Sequence, residues 1–370
     1  MTPRTPYPVV SEARLRANIA RMQALATHAG VRLRPHAKTH KSPAIARMQL
    51  EAGAVGICCA KLSEAEVFAD HGITDIRLPY PVNPVNADRV LTLVDRLRLS
   101  IIVDNDEVAK AWSTAMTRAG RRLDVLVKVD VGFHRCGINP DDPAVVDRIA
   151  AIAGLPGLTF KGLLAHAGHA YHATSAYDLA NISAVETTIL TGLARQLTQK
   201  GVAVDEISVG STPTARFAPS QRGITEMRPG NYVFFDRTQV GLESAQLDHC
   251  ALFVEATVVS RPAGDRVVLD CGSKTLTSDA GRGFEPLPGH GWVFTGADAS
   301  APDLDILIER LSEEHAVCRV PDASPLRPGD RVRVLPNHAC TVTNLADQLV
   351  LARTDGTLDT LPVAARGRIW

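Results

Sequence analysis

The chain has 370 residues, 45% apolar and 22% charged, ordinary proportions for a globular protein and enough length for one large domain plus a smaller one. Forty Lys plus Arg balance forty Asp plus Glu, and no apolar run approaches the roughly 20 residues of a membrane span, so neither nucleic acid nor a membrane is an expected partner. The opening residues Met1-Thr2-Pro3-Arg4-Thr5-Pro6 lack an apolar signal core, and the seven Cys are scattered and odd in number; this predicts a cytoplasmic protein without a disulfide framework.

A helix is predicted over residues 12–29, with Leu15, Ile19, Met22 and Leu25 at three- and four-residue spacing forming one packing face. Strand-like runs then follow at 31–34, 54–59, 75–79, 99–104, 124–130, 158–166, 205–210 and 231–236. Amphipathic helical stretches such as 61–71, 105–118 and 177–200 separate them. Apolar strands alternating with helices imply parallel pairing, and eight of them predict an α/β fold with a closed (β/α)8 TIM-type barrel. An open doubly wound sheet is the rival, weakened because no Gly-rich dinucleotide fingerprint follows the first strand. After Gly241 the texture changes: strand-like runs at 251–260, 266–271, 291–295, 316–320, 330–335 and 348–352 are separated by Pro, Gly and Asp, with a helix expected over 304–313. The expected organisation is a barrel domain over 8–240 and a mostly antiparallel β domain over 241–370, on which residues 1–7 pack.

Reactive groups in a barrel gather at the C-terminal strand ends. Those ends carry a distinctive set: His36 and Lys38 after the first strand, then Asp130, His134 and Arg135 after the fifth. His166, Gly168, His169 and His172 follow the sixth, Gly210-Ser211-Thr212 the seventh, and Arg228 with Gly230 precedes the expected eighth. Turns at the seventh and eighth strands are where barrels commonly bind phosphate through backbone N–H groups. A desolvated Lys can serve as an amine nucleophile toward an aldehyde, and a Lys facing a phosphate cup suits pyridoxal phosphate.

The motif Arg34-Pro35-His36-Ala37-Lys38-Thr39-His40-Lys41 resembles the cofactor-lysine motif of the D-threonine aldolase/D-serine dehydratase family, fold type III enzymes related to alanine racemase. Further matches run in family order through nearly the whole chain: Gly56-Ile57-Cys58-Cys59-Ala60-Lys61, Val103-Asp104-Asn105, Val129-Asp130-Val131-Gly132 with Arg135-Cys136-Gly137, Gly230-Asn231-Tyr232, Leu269-Asp270-Cys271-Gly272-Ser273-Lys274 and Pro336-Asn337-His338-Ala339-Cys340. The resemblance implies that Lys38 holds pyridoxal 5'-phosphate covalently, with His166 among the cofactor-binding residues. Arg135 would lie near the cofactor's phenolic oxygen, and Ser211, Thr212, Gly230 and Asn231 would bind the phosphate. Arg228 would face the pyridine nitrogen, and His172 matches the presumed catalytic base, against the alternative of a hydrogen-bonded loop His. It also implies a divalent metal at His338 and Cys340. Residues i and i+2 of a strand share a side, so the pair is expected at a strand end gripping one ion, and imidazole with thiolate favours zinc over manganese or magnesium.

The expected function is thus a pyridoxal-phosphate- and metal-dependent lyase of D-3-hydroxy amino acids, of the D-threonine aldolase type, giving glycine and an aldehyde. The alternative is a D-serine dehydratase giving an oxo acid and ammonia; the motifs do not choose between them. An amino-acid racemase of this fold typically takes a second acid/base Tyr from the β domain, and no Tyr follows Gly241. A non-catalytic cofactor carrier is disfavoured, since carriers of this fold are barrel-only. The resemblance further implies a homodimer in which the β domain of one subunit completes the other's site.

Overall fold

The computed structural model describes residues 3–296 and 300–370; of the N-terminal segment expected to pack on the β domain, residues 1 and 2 lie outside the described residues. Strand β1 (Tyr7–Ser11) comes first, then eight parallel strands: β2 (Arg32–Leu33), β3 (Ile57–Cys58), β4 (Asp75–Pro81), β5 (Arg98–Val103), β6 (Leu123–Lys128), β7 (Leu158–Leu164), β8 (Glu206–Val209) and β9 (Glu226–Met227). They pair in the order β2-β9-β8-β7-β6-β5-β4-β3. The sheet curls shut where Cys58 N–H donates to Pro35 O at 2.8 Å and His36 bridges Cys58 in parallel. This is the expected barrel.

Alternation along the strands sorts side chains between two environments. Ile101, Val103, Ile207 and Val209 point outward into the apolar layer under the helices. The inward positions hold an apolar trio, Ile102, Leu126 and Leu164, and below it a buried ionic network. There Glu226 accepts from Arg34 Nε at 2.8 Å, from Ser208 Oγ at 2.5 Å and from Arg77. Arg77 also reaches Glu206 at 2.7 Å and Ser100 at 2.9 Å, and Arg34 pairs with Asp75. The guanidinium charges outweigh the effect of burial on Glu226, whose pKa falls to about 2.

The eighth strand is not the expected run 231–236. Asn231–Val233 form a 3-10 turn and the ladder is made by Glu226–Met227. The run Tyr232, Val233 and Phe234 is buried by packing on neighbouring elements rather than by strand pairing. Arg228 and Gly230 therefore follow the eighth strand, at its C-terminal end.

The second sheet joins β10 (Leu252–Ala263), β11 (Arg266–Leu269), β12 (Gly291–Phe294), β13 (Leu307–Leu311), β14 (Ala316–Arg319), β15 (Arg331–Pro336), β16 (Gln348–Ala352) and β17 (Leu358–Pro362) to β1. β1 pairs antiparallel with β10 and parallel with β16; all its other pairs are antiparallel. The helix expected over 304–313 is instead strand β13. Ile306 and Ile308 alternate into the core, Leu304 is exposed, and the register against β14 shifts between Ile308 and Arg310. Glu313 and Glu314 remain solvated, but beyond a strand rather than at a helix end.

Helix Glu12–His28 is capped by Ser11, whose hydroxyl accepts from Arg14 N–H, and it links the two cores. Leu15 and Ile19 pack in the β-domain core, whereas Met22 and Ala26 join the barrel's outer layer. No described helix is long and apolar enough to cross a membrane.

Candidate active site

A cavity of about 370 Å³ opens at the C-terminal ends of the barrel strands. Lys38, His36, Arg135, His166, Arg228 and the 210–212 and 230–231 turns line it from the barrel, and Asp279, Arg282, His338 and Cys340 line it from the other sheet. Lys38 sits in a one-turn 3-10 helix, Ala37–Thr39, begun by His36, whose Nδ1 accepts from Lys38 N–H at 3.4 Å. The motif's second lysine and second histidine are occupied elsewhere. Lys41 is buried against Glu64 at 2.6 Å. His40 donates from Nε2 to Gln49 at 3.2 Å and accepts from Ser42 N–H at 3.1 Å; burial lowers its pKa to about 4, leaving it neutral. Lys38 is thus the motif's amine that faces the cavity.

Around Lys38 the barrel supplies fixed donors. His166 Nδ1–H donates to Gly210 O at 2.7 Å; burial, then the Lys38 charge, holds its pKa well below the ordinary value, so the ring is neutral. Arg228 is buried, with Nη1 on Ser208 Oγ at 2.5 Å and Nη2 on Ala165 O. A serine hydroxyl therefore joins the cavity floor to the ionic network through Glu226. Arg135 lies over the Phe133 ring, 4.9 Å from its centroid.

The two turns form a cradle. Ser211 caps the short helix Thr212–Ala215, and Thr212 Oγ1 accepts from Tyr232 N–H at 3.2 Å, which ties the turns together. Gly230 allows close approach of the lysine turn: a Cβ there would meet His36 Cβ, His36 O and Thr39 Oγ1 at 3.0 Å. Gly210 has φ +139, and its Cβ would meet Arg228 N at 2.8 Å. Asn231 Oδ1 is buried without a hydrogen-bond partner. A phosphate-bearing cofactor aldehyde fits this set: an amine, and glycine turns beside the Thr212 hydroxyl, whose proton is free to donate because its oxygen accepts from Tyr232 N–H.

His338 and Cys340 do converge, though not as two residues of one strand. β15 ends at Pro336, His338 is extended, and Cys340 lies in the first turn of helix Ala339–Leu345. Asp236 fixes that helix start by accepting from Ala339 N–H at 2.9 Å. Burial opposes the His338 charge, but the Cys340 thiolate, a hydrogen bond to it and Asp279 override this and raise the pKa to about 10. Burial likewise opposes the thiolate, and His338 then draws the Cys340 pKa below its ordinary value. Asp279 Oδ2 accepts from His338 Nδ1 at 2.7 Å, which leaves Nε2 for a ligand, as second-sphere carboxylates do at metal sites. Among the described residues no group of three His, Cys, Asp or Glu is placed to hold a metal; the pair offers two soft-to-borderline donors, and these fit a zinc-like ion with open positions. Cys340 Sγ also meets Thr39 Oγ1 at 3.2 Å and Asn231 Nδ2 at 3.7 Å, so it touches both the lysine turn and the phosphate-type turn.

His172 lies at the rim, exposed, on the 3-10 helix Gly168–His172. Its Nε2 accepts from Arg282 Nη1 at 2.8 Å. Arg282, Asp279, Asp236 and Tyr171 line the cavity without having been singled out from the sequence, because no motif spacing relates them to Lys38 or His338.

Residues 10–238 match the family model "Alanine racemase, N-terminal domain", and residues 251–352 match "Putative serine dehydratase domain". The chain is 36% identical to a D-threonine aldolase of Arthrobacter sp, over 98% of this chain and 93% of that protein. The solved D-threo-3-hydroxyaspartate dehydratase from Delftia sp. HT23 superposes with a TM-score of 0.92 at 31% identity, covering 98% of this chain and 97% of the other. Structures of its histidine-to-alanine variant and of a cysteine-to-alanine variant, the latter in the metal-free form, alter positions two residues apart. A D-threonine aldolase from Filomicrobium marinum superposes with a TM-score of 0.87 at 31% identity, covering 99% and 97%. With both halves matched in order and full-length relatives above 30% identity, the chain belongs to the alanine racemase-like lyase family that contains the D-threonine aldolases and D-serine dehydratases.

Proposed function

We propose that the protein is a pyridoxal-phosphate- and divalent-metal-dependent lyase of D-3-hydroxy amino acids, cleaving D-threonine-like substrates to glycine and an aldehyde. The observation that carries this reading is that Lys38, on the barrel, and the His338–Cys340 pair, on the other sheet, line one cavity. Bound pyridoxal phosphate supplies an electron sink for bonds at the substrate Cα. Lys38 would hold the cofactor and exchange places with the substrate amine. Ser211, Thr212, Gly230 and Asn231 would bind its phosphate, and Arg135 and neutral His166 would flank it. Arg228 keeps its protons, so it would offer only donors to the pyridine nitrogen and keep that nitrogen unprotonated.

His338 and Cys340 would hold the metal, zinc by their donor set, at the substrate's β-oxygen, where it supplies Lewis-acid stabilisation. The variant pair of the Delftia relative, two residues apart and metal-free at the cysteine, supports this. His172 would take the β-hydroxyl proton at Nε2. That nitrogen accepts from an Arg, which has no acceptor atom, so it carries a lone pair. The second reading, a dehydratase with Lys38 removing the α-proton, is supported by the same relative, a dehydratase itself. Incubation with D-threonine and with D-serine, scoring acetaldehyde against pyruvate, decides between them; no product from these or from D-threo-3-hydroxyaspartate would sink both.

We further propose a homodimer completing each site across subunits, and a division into domains 8–240 and 241–370 with residues 1–7 on the second. Thr5 Oγ1, at 2.6 Å from both Thr257 Oγ1 and Asp270 Oδ2 of the second sheet's region, supports that last placement. Seven free cysteines support a reducing, cytoplasmic setting.

A further inference from the structure

We infer that Arg282 is a specificity-determining residue, selecting D-3-hydroxy amino acids that carry a second carboxylate on Cβ; this rests on the lyase reading above. Two walls meet at the cavity. The barrel wall carries Lys38 and the glycine turns, and the wall from the other sheet carries the His338–Cys340 pair, toward which substituents on a substrate's Cβ would face. Arg282 is the guanidinium of that second wall, presented by the loop between Leu276 and Gly291 and held where Thr238 Oγ1 accepts from its backbone N–H at 3.2 Å. Among the described residues it pairs with no carboxylate. Asp279, three residues away, has its Oδ2 accepting from His338 Nδ1 at 2.7 Å and from Thr341 Oγ1 at 3.2 Å. Arg282's side-chain partner is instead the neutral acceptor His172 Nε2 at 2.8 Å.

A guanidinium spent on an imidazole, with no anion, is poised for a better acceptor: a carboxylate binds it bidentately and with charge assistance. A substrate with a β-carboxylate would therefore draw Arg282 away from His172 and free the Nε2 lone pair that the base needs. A substrate with a β-methyl group offers no such exchange. The residue thus couples recognition of the distal group to release of the base.

The test compares kcat/KM for D-threo-3-hydroxyaspartate and D-threonine in the holoenzyme, in Arg282→Gln and in Arg282→Lys. The wild type should prefer the diacid. Arg282→Gln should lower the preference about tenfold or more, the worth of a hydrogen bond to a charged group, and Arg282→Lys should keep part of it. Taking the ratio cancels any general damage to the site. Thermal shift supplies a reading independent of turnover: malate, but not lactate, should raise the Tm of the wild-type holoprotein, and Arg282→Gln should abolish that difference. An unchanged ratio in Arg282→Gln, or a wild type that cleaves D-threonine and ignores the diacid, overturns the inference while leaving the lyase reading intact. A wild type inert to both substrates and to D-serine overturns the lyase reading instead, and this inference with it.

Discussion

Replacing Glu226 by Gln removes one negative charge from the barrel interior while keeping its volume. Glu226 is fully buried and receives hydrogen bonds from Arg34, Arg77 and Ser208. Arg34 would keep Asp75 as its one anionic hydrogen-bond partner, and Arg77 Glu206. The pKa of Glu226 drops from 4.5 to about 2. At ~1.36 kcal/mol per pKa unit that corresponds to about 3 kcal/mol, the low end of the ~3–5 kcal/mol expected when one partner of a buried ion pair is removed. With ~2.1 cal/mol/K of unfolding entropy per residue over 370 residues, the loss should lower Tm by about 4 °C at neutral pH. Calorimetry across pH checks the origin of the effect. The folded-state pKa is depressed, so the stabilisation is fully present above about pH 4.5 and is lost as pH falls through about 2. The gap between wild type and variant should therefore be constant from neutrality to about pH 5 and should close at lower pH. A Tm within about 1 °C of wild type at pH 7 would refute the claim that charge holds the barrel interior together.

Lys38→Ala should lose the visible absorption of lysine-bound pyridoxal phosphate; retention of the band would identify another lysine as the anchor. Cys340→Ala should bind cofactor but little metal by elemental analysis, with turnover down about a hundredfold or more, since Lewis-acid stabilisation is worth several kcal/mol and each ~1.4 kcal/mol is tenfold. Chelation of the wild type should mimic it, with recovery on adding zinc; full activity in both states would exclude a catalytic metal. Light scattering should give twice the chain mass, and a fully active monomer would exclude a site shared between subunits.

The barrel was readable because its strands are apolar runs at regular spacing, and its reactive groups because they cluster at strand ends. What escaped did so for physical reasons. Glu226 looks like a loop residue until Arg34 and Arg77, 192 and 149 residues away, neutralise it; the apolar run that follows looks like a strand but is consumed by packing. In the segment 304–313, apolar residues satisfied a helical reading, while only the burial of Ile306 and Ile308 on one side reveals period two. His338 and Cys340 were found as a pair, but their geometry was not, because Asp236 starts a helix between them. Asp279 and Arg282 sit on a loop whose approach to the cavity depends on the whole second sheet, so no local pattern announces them.

The barrel wall is uneven in a way that bears on the site. β4, β5, β6 and β7 run six or seven residues each, whereas β2, β3 and β9 have two apiece, and β2 meets β3 through a single bridge. Lys38 hangs from the thin side, whose two-residue ladders run beside the buried charges of Arg34, Glu226 and Arg77. On that side the wall depends on ion pairs, and on the thick side on backbone bonds.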